Sequence, residues 1–88
     1  MERTVTVAIA EGLHARPAAL FVAEAGKQPV AVTLTKEGAE RHDAEDARGV
    51  HGLGAAAGDQ VVLATETDGA EAEAALDALA AFLAQETV

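Results

Sequence analysis

No cysteine occurs among the 88 residues, so neither a disulfide framework nor a thiolate metal site is available. Tryptophan and tyrosine are also missing, and the only aromatic rings are Phe21 and Phe82. The core must therefore be built from Ala, Val, Leu and Ile, with stability resting on close aliphatic packing. Basic residues are scarce: six against fifteen acidic ones give a formal charge of −9. Such a surface repels DNA, RNA and anionic lipid, which argues against a nucleic-acid role and suits a partner with a basic docking surface. Much of that charge also serves solubility. No apolar run is long enough to span a bilayer, and Met1-Glu2-Arg3-Thr4 enters a strand pattern without the apolar core of a signal peptide. A cytoplasmic protein, without direct membrane insertion, is expected. No internal repeat, linker or low-complexity tail interrupts the chain, so residues 1–88 are expected to form one small domain with one core.

What is present alternates between two periodicities. Thr4-Val5-Thr6-Val7-Ala8-Ile9 puts Val5, Val7 and Ile9 on one face and predicts a half-buried strand. A helix is predicted from about Ala15 to Ala25, with Gly26 as its stop and Ala15, Ala18, Ala19, Val22 and Ala25 as the stripe facing a sheet. Pro29 precedes a second alternating run, Val30 to Thr35, with Val30, Val32 and Leu34 inward. After the turn Lys36-Glu37-Gly38-Ala39 a short third strand is predicted around Glu40 to Asp43. Asp43 or Asp46 can cap a short helix from Ala47 to about Leu53, ended by Gly52 and Gly54. Asp59 to Thr65 reads as the fourth strand. Asp68-Gly69-Ala70-Glu71 resembles a capping box before a helix with Ala72, Ala75, Leu76, Leu79, Ala80 and Leu83 on one face. The order is βαββαβα, an α+β fold with helices on one face of an antiparallel sheet.

The chemistry gathers in Gly12-Leu13-His14-Ala15-Arg16-Pro17-Ala18-Ala19. Gly12 lets the backbone turn sharply out of the first strand. Pro17 suits the first turn of a helix, where its missing N–H costs nothing and its φ is set in advance. The unpaired N–H groups and positive dipole end of that turn then lie close to His14, a setting that stabilises an anion. Arg16 adds a planar, permanently charged fork suited to phosphate oxygens. A neutral imidazole nitrogen is nucleophilic near neutral pH, and the phosphoramidate it forms is reactive because the ring leaves readily once protonated. The plainer readings are a helix cap or solvated residue for His14, and a salt bridge to Glu11 or another acidic neighbour for Arg16. The chain has no P-loop, no nucleotide-binding glycine motif and no carboxylate cluster for magnesium, so a carrier is expected and not a free-standing kinase.

Gly-Leu-His-Ala-Arg-Pro-Ala-Ala resembles the phosphorylation-site signature of HPr, the histidine-containing phosphocarrier family of the phosphoenolpyruvate-dependent sugar phosphotransferase system. The element order is similar too, so the resemblance extends over nearly the whole chain. It implies an open-faced β-sandwich, with a four-stranded antiparallel sheet and three helices on one face. It also implies that Nδ1 of His14 accepts a phosphoryl group from enzyme I and that a sugar-specific enzyme II A domain receives it. Arg16 would neutralise phosphoryl oxygens, the amides of Ala15 and Arg16 would bind others, and Gly12 and Pro17 would shape the site. No cofactor is implied. A monomer is expected, because each partner must reach the same small surface.

The middle of the chain departs from that pattern. Many members carry a regulatory serine at the start of the short helix; here the position falls on Asp46, or on Glu45 if the preceding hairpin has no insertion. Neither can be phosphorylated by a serine kinase, and an aspartate there is also simply a good cap. The family's docking positions fall on Ala19, Ala47, Arg48 and His51, and Arg48 puts charge where an aliphatic anchor is expected. A three-histidine metal site of His14, His42 and His51 has no support from spacing, so no metal is expected. Two other functions fit the sequence: an HPr-like carrier of a nitrogen-related or kinase-coupled branch, or a small α/β interaction domain whose His14 is never phosphorylated.

Overall fold

The computed structural model describes residues 1–88. Its elements are β1 (Glu2–Thr6), α1 (Ala15–Gly26), β2 (Thr33–Lys36), β3 (Arg41–Asp43), α2 (Ala47–Gly52), β4 (Gln60–Ala64) and α3 (Ala70–Leu83). The four strands form one antiparallel sheet in the order β1-β4-β2-β3. Val5 stands opposite Val61 and Leu34 opposite Leu63, so the aliphatic side chains of three strands share one face. Strand periodicity sends Glu2, Thr4, Thr6 and Gln60 to the other face, where they are exposed. This is the βαββαβα order read from the sequence, and the open-faced sandwich that the family resemblance implies.

After β1 the backbone leaves the sheet early. The predicted strand runs to Ile9, whereas the ladder ends at Thr6. Val7 still bonds to Asp59, but Ala8 N–H donates to the Leu83 carbonyl (2.8 Å) and Ala10 N–H to that of Glu86 (2.9 Å). The backbone thus changes partner from the sheet to the C-terminal end of α3, while Val7 and Ile9 stay buried. β2 likewise starts at Thr33 and not at Val30, and Val30 is only half-buried.

Two further expectations are corrected. The inward stripe of α1 is Pro17, Ala18, Phe21 and Ala25, and Ala15 and Ala19 are exposed. Phe21 is the largest apolar side chain of the helix, and burying it rotates the helix away from the all-alanine register. It is wholly buried, with the Phe82 ring 5.9 Å away at 62°. At α3 the N-cap is Gly69, at φ 111°, with no side-chain cap. That left-handed turn suits glycine and moves the cap one residue past Asp68, whose carboxylate lies 3.5 Å from the Met1 amino nitrogen instead. Glu71 and Glu73 still complement the helix dipole from the first turn.

The three helices, β2, β4 and the segments between them bury side chains in one cluster, in which Phe21 is the only fully buried aromatic ring. Phe21→Ala is therefore expected to cost about 3–5 kcal/mol through lost burial and a residual cavity. Urea unfolding checks this, and a loss below about 1 kcal/mol would show that the small neighbours collapse into the space.

Candidate functional site

Gly12 has φ 71° and closes a turn by donating its N–H to the Ile9 carbonyl (2.8 Å). Leu13 comes next, wholly buried, with its N–H on the Ala55 carbonyl at 2.8 Å. A Cβ at position 12 would lie 2.6 Å from that same carbonyl oxygen and 3.0 Å from the Ala56 Cα. Only glycine therefore allows the chain to lie this close to the 54–58 loop in this conformation. With Leu13 anchored inward, the next side chain is sent outward. His14 stands half-exposed at the head of α1.

His14 is the N-cap residue of α1 in extended conformation, yet its side chain caps nothing. The ring enters no hydrogen bond and no ion pair. That sets aside the plain reading of His14 as a capping side chain. Ala15 has φ 46°, the one non-glycine residue in the left-handed region. Such strain, of order 1–3 kcal/mol, persists only where surroundings over-determine it. The N–H groups of Ala15 and Arg16 have no protein acceptor, Pro17 has none to offer, and Ala18 makes a long bond of 3.4 Å to the His14 carbonyl. The helix thus begins with free donors beside an unengaged imidazole, an arrangement that favours an anion.

Arg16 is exposed, and its Nη1 donates to the main-chain oxygen of Val88 at 2.6 Å. It forms no salt bridge with Glu11 or any other acidic side chain. The end of the chain, already tied to Ala10, thereby holds the guanidinium at the edge of the site. This contact depends on tertiary folding and has no sequence signal. Nor has the other unforeseen pairing: His51, in the last turn of α2, sits edge-to-face with His14, ring centroids 5.8 Å apart at 89°.

Of the remaining positions, Ala19, Ala47, Arg48 and His51 are all exposed, on the packed pair α1 and α2. Arg48 has no ion-pair or hydrogen-bond partner. Asp46 caps α2, accepting the Gly49 N–H at 3.1 Å, and Asp43 accepts that of Glu45 at 2.9 Å. His42 packs against Gly49: its Nδ1 lies 2.6 Å from where a Cβ of that residue would stand. No group of three or more His, Cys, Asp or Glu side chains is placed to hold a metal ion. The surface concavities lie on the open sheet face or at the Lys36–Asp59 edge, and none is lined by His14.

The loop under Gly12 has its own support. Asp59 Oδ2 accepts the Ala56 N–H at 2.9 Å and lies 3.1 Å from Lys36 Nζ, which also donates to the Gly54 carbonyl at 3.4 Å. The Ala56 hydrogen bond, and then Lys36, hold the Asp59 carboxyl below its ordinary value of 3.8. A depressed folded value means the contribution is present above the unfolded value and lost as pH falls through the folded one. The urea midpoint advantage of wild type over Asp59→Asn is thus expected at neutral pH and to fade below about pH 4. An advantage unchanged down to about pH 2 would mean the carboxylate charge plays no part.

Comparison with known proteins points the same way as this geometry. The family model described as PTS HPr component phosphorylation site matches residues 1–85. The phosphocarrier protein HPr of Streptomyces coelicolor is 46% identical over 84 residues, covering 96% of this chain and 88% of that protein. The HPr of Haloferax volcanii is 48% identical over 82 residues, covering 90% and 88%. The crystal structure of HPr from Bacillus anthracis superimposes with a TM-score of 0.85 at 36% identity, covering 94% of this chain and 95% of that one.

Proposed function

The chain belongs to the HPr family of phosphocarriers, and we propose that His14 takes a phosphoryl group from enzyme I and yields it to sugar-specific enzyme II A domains. As a member of that family it is a carrier and not a catalyst in its own right. The observation that carries the assignment to His14 is its ring, which has no hydrogen-bond or ion-pair partner and stands beside the free N–H groups of Ala15 and Arg16.

In the loading step the lone pair of neutral Nδ1 attacks phosphorus. The bond from phosphorus to the donor atom breaks, and its electron pair returns to the donor. In the unloading step His14 is the leaving group: a nucleophilic side chain of the acceptor bonds to phosphorus as the P–N bond breaks, the pair returns to Nδ1, and a proton on Nε2 makes that departure easy. Phosphoryl transfer is mostly positioning and charge stabilisation. The amides of Ala15 and Arg16 and the Arg16 guanidinium supply the charge, and the docked partner excludes water. Arg16 needs only to exchange its Val88 contact for a phosphoryl oxygen.

Ala19, Ala47, Arg48 and His51 form the docking rim of this reading, and Arg48 selects a partner with an acidic residue opposite it. Asp46 keeps a permanent charge at the position of the regulatory serine, so no serine kinase acts there. One domain spanning 1–88, acting as a monomer in the cytoplasm, suits serial docking through a single small surface.

Phosphoenolpyruvate with a catalytic amount of enzyme I tests the assignment by intact mass. Wild type is expected to gain one phosphoryl group that acid removes and base preserves, and folded His14→Ala to gain none. Arg48→Met is expected to load about two- to fivefold more slowly through weaker docking. A His14→Ala protein that still gains the group would refute the assignment, and an unchanged Arg48→Met rate would remove Arg48 from docking.

A further inference from the structure

No acidic side chain pairs with the basic groups at the site in a protein of formal charge −9. His14 and His51 meet edge-to-face, Arg16 lies two residues after the one and Arg48 three before the other. The molecule's four ion pairs are all elsewhere: Met1–Asp68, Arg3–Asp77, Lys27–Glu24 and Lys36–Asp59. Charged groups on the neighbouring segments do not neutralise the pair. Glu11 is exposed before Gly12, Glu86 contributes its carbonyl to Ala10, and Asp46 is committed to the opposite end of α2. His42 and Asp43 belong to β3, with His42 against Gly49 and Asp43 on the Glu45 N–H.

We propose that His51 is a phosphoryl-holding residue: as an imidazolium it attracts the oxygens of phosphorylated His14 and protects that group from water. This rests on His14 being the acceptor. His51 is exposed, so its ring can turn toward oxygens that project beyond the edge of the His14 ring. The 5.8 Å ring separation is shorter than the screening length of about 8 Å at physiological salt. A cation here opposes the protonation of the phosphorylated ring on which P–N cleavage depends. A docked acceptor can displace His51 and remove the protection only when transfer is ready. His51 belongs then to the acceptor site as well as to its rim.

Phosphoramidate, which phosphorylates imidazole without an enzyme, separates this role from docking. Wild type, His51→Gln and His51→Lys are loaded with it, and loss of the phosphoryl mass is monitored at about pH 6 and about pH 8.5, either side of the ordinary imidazole range near 6.5. His51→Gln is expected to lose the group about two- to fivefold faster than wild type at the lower pH and at a similar rate at the higher. His51→Lys is expected to match wild type at the lower pH and outlast it at the higher. Equal lifetimes of all three at both values would overturn the proposal while leaving His14 as acceptor. Wild type that takes no phosphoryl group on His14 would overturn both readings. A phosphoryl group carried by His51 in His14→Ala would make that ring an acceptor and end its electrostatic role.

Discussion

The hydrogen bond from Leu13 N–H to the Ala55 carbonyl ties the reactive end of α1 to the loop between α2 and β4. It is possible only because Gly12 lets the backbone lie where a Cβ would be 2.6 Å from that oxygen. The whole site is positioned from this contact. It buries Leu13 in the common core, it sends His14 outward, and it sets the direction from which Ala15 starts the helix at positive φ. The loop is in turn held by Asp59 and Lys36. A surface imidazole is thereby placed by packed backbone, with its own nitrogens left uncommitted.

Leaving those nitrogens free has an electrostatic counterpart. Fifteen carboxylates surround a small domain, yet none pairs with His14, His51, Arg16 or Arg48. Arg16 is occupied only by the oxygen of Val88. A local cationic surface on an acidic protein suits a group that arrives charged and must leave again. In the proposed function, tight neutralisation would hold the arginine away from the phosphoryl oxygens, and deep burial would block exchange between protein partners.

The architecture was legible in the sequence because strand alternation and helix periodicity are local, and they agree with the turn residues around them. Gly12 and Pro17 were legible for the same reason, since each states a backbone constraint in its own chemistry. His14 stood out through its setting between them. Where local pattern misled, a longer-range interaction decided. Phe21 rotated α1 away from the alanine stripe, and Gly69 took the α3 cap from Asp68. The strain at Ala15 has no residue-type signal, since alanine rarely adopts that φ. Arg16 on Val88 and His14 beside His51 are contacts between distant parts of the chain, and periodicity carries no information about them.

On this reading the scaffold presents one nitrogen of one histidine to its partners. Ring-labelled ¹⁵N histidine, observed by NMR after loading with phosphoenolpyruvate and enzyme I, measures that directly. A single phosphorylated nitrogen is expected, Nδ1 of His14, with the rings of His42 and His51 unmodified. Phosphorus on Nε2, on another histidine, or on no imidazole would contradict it.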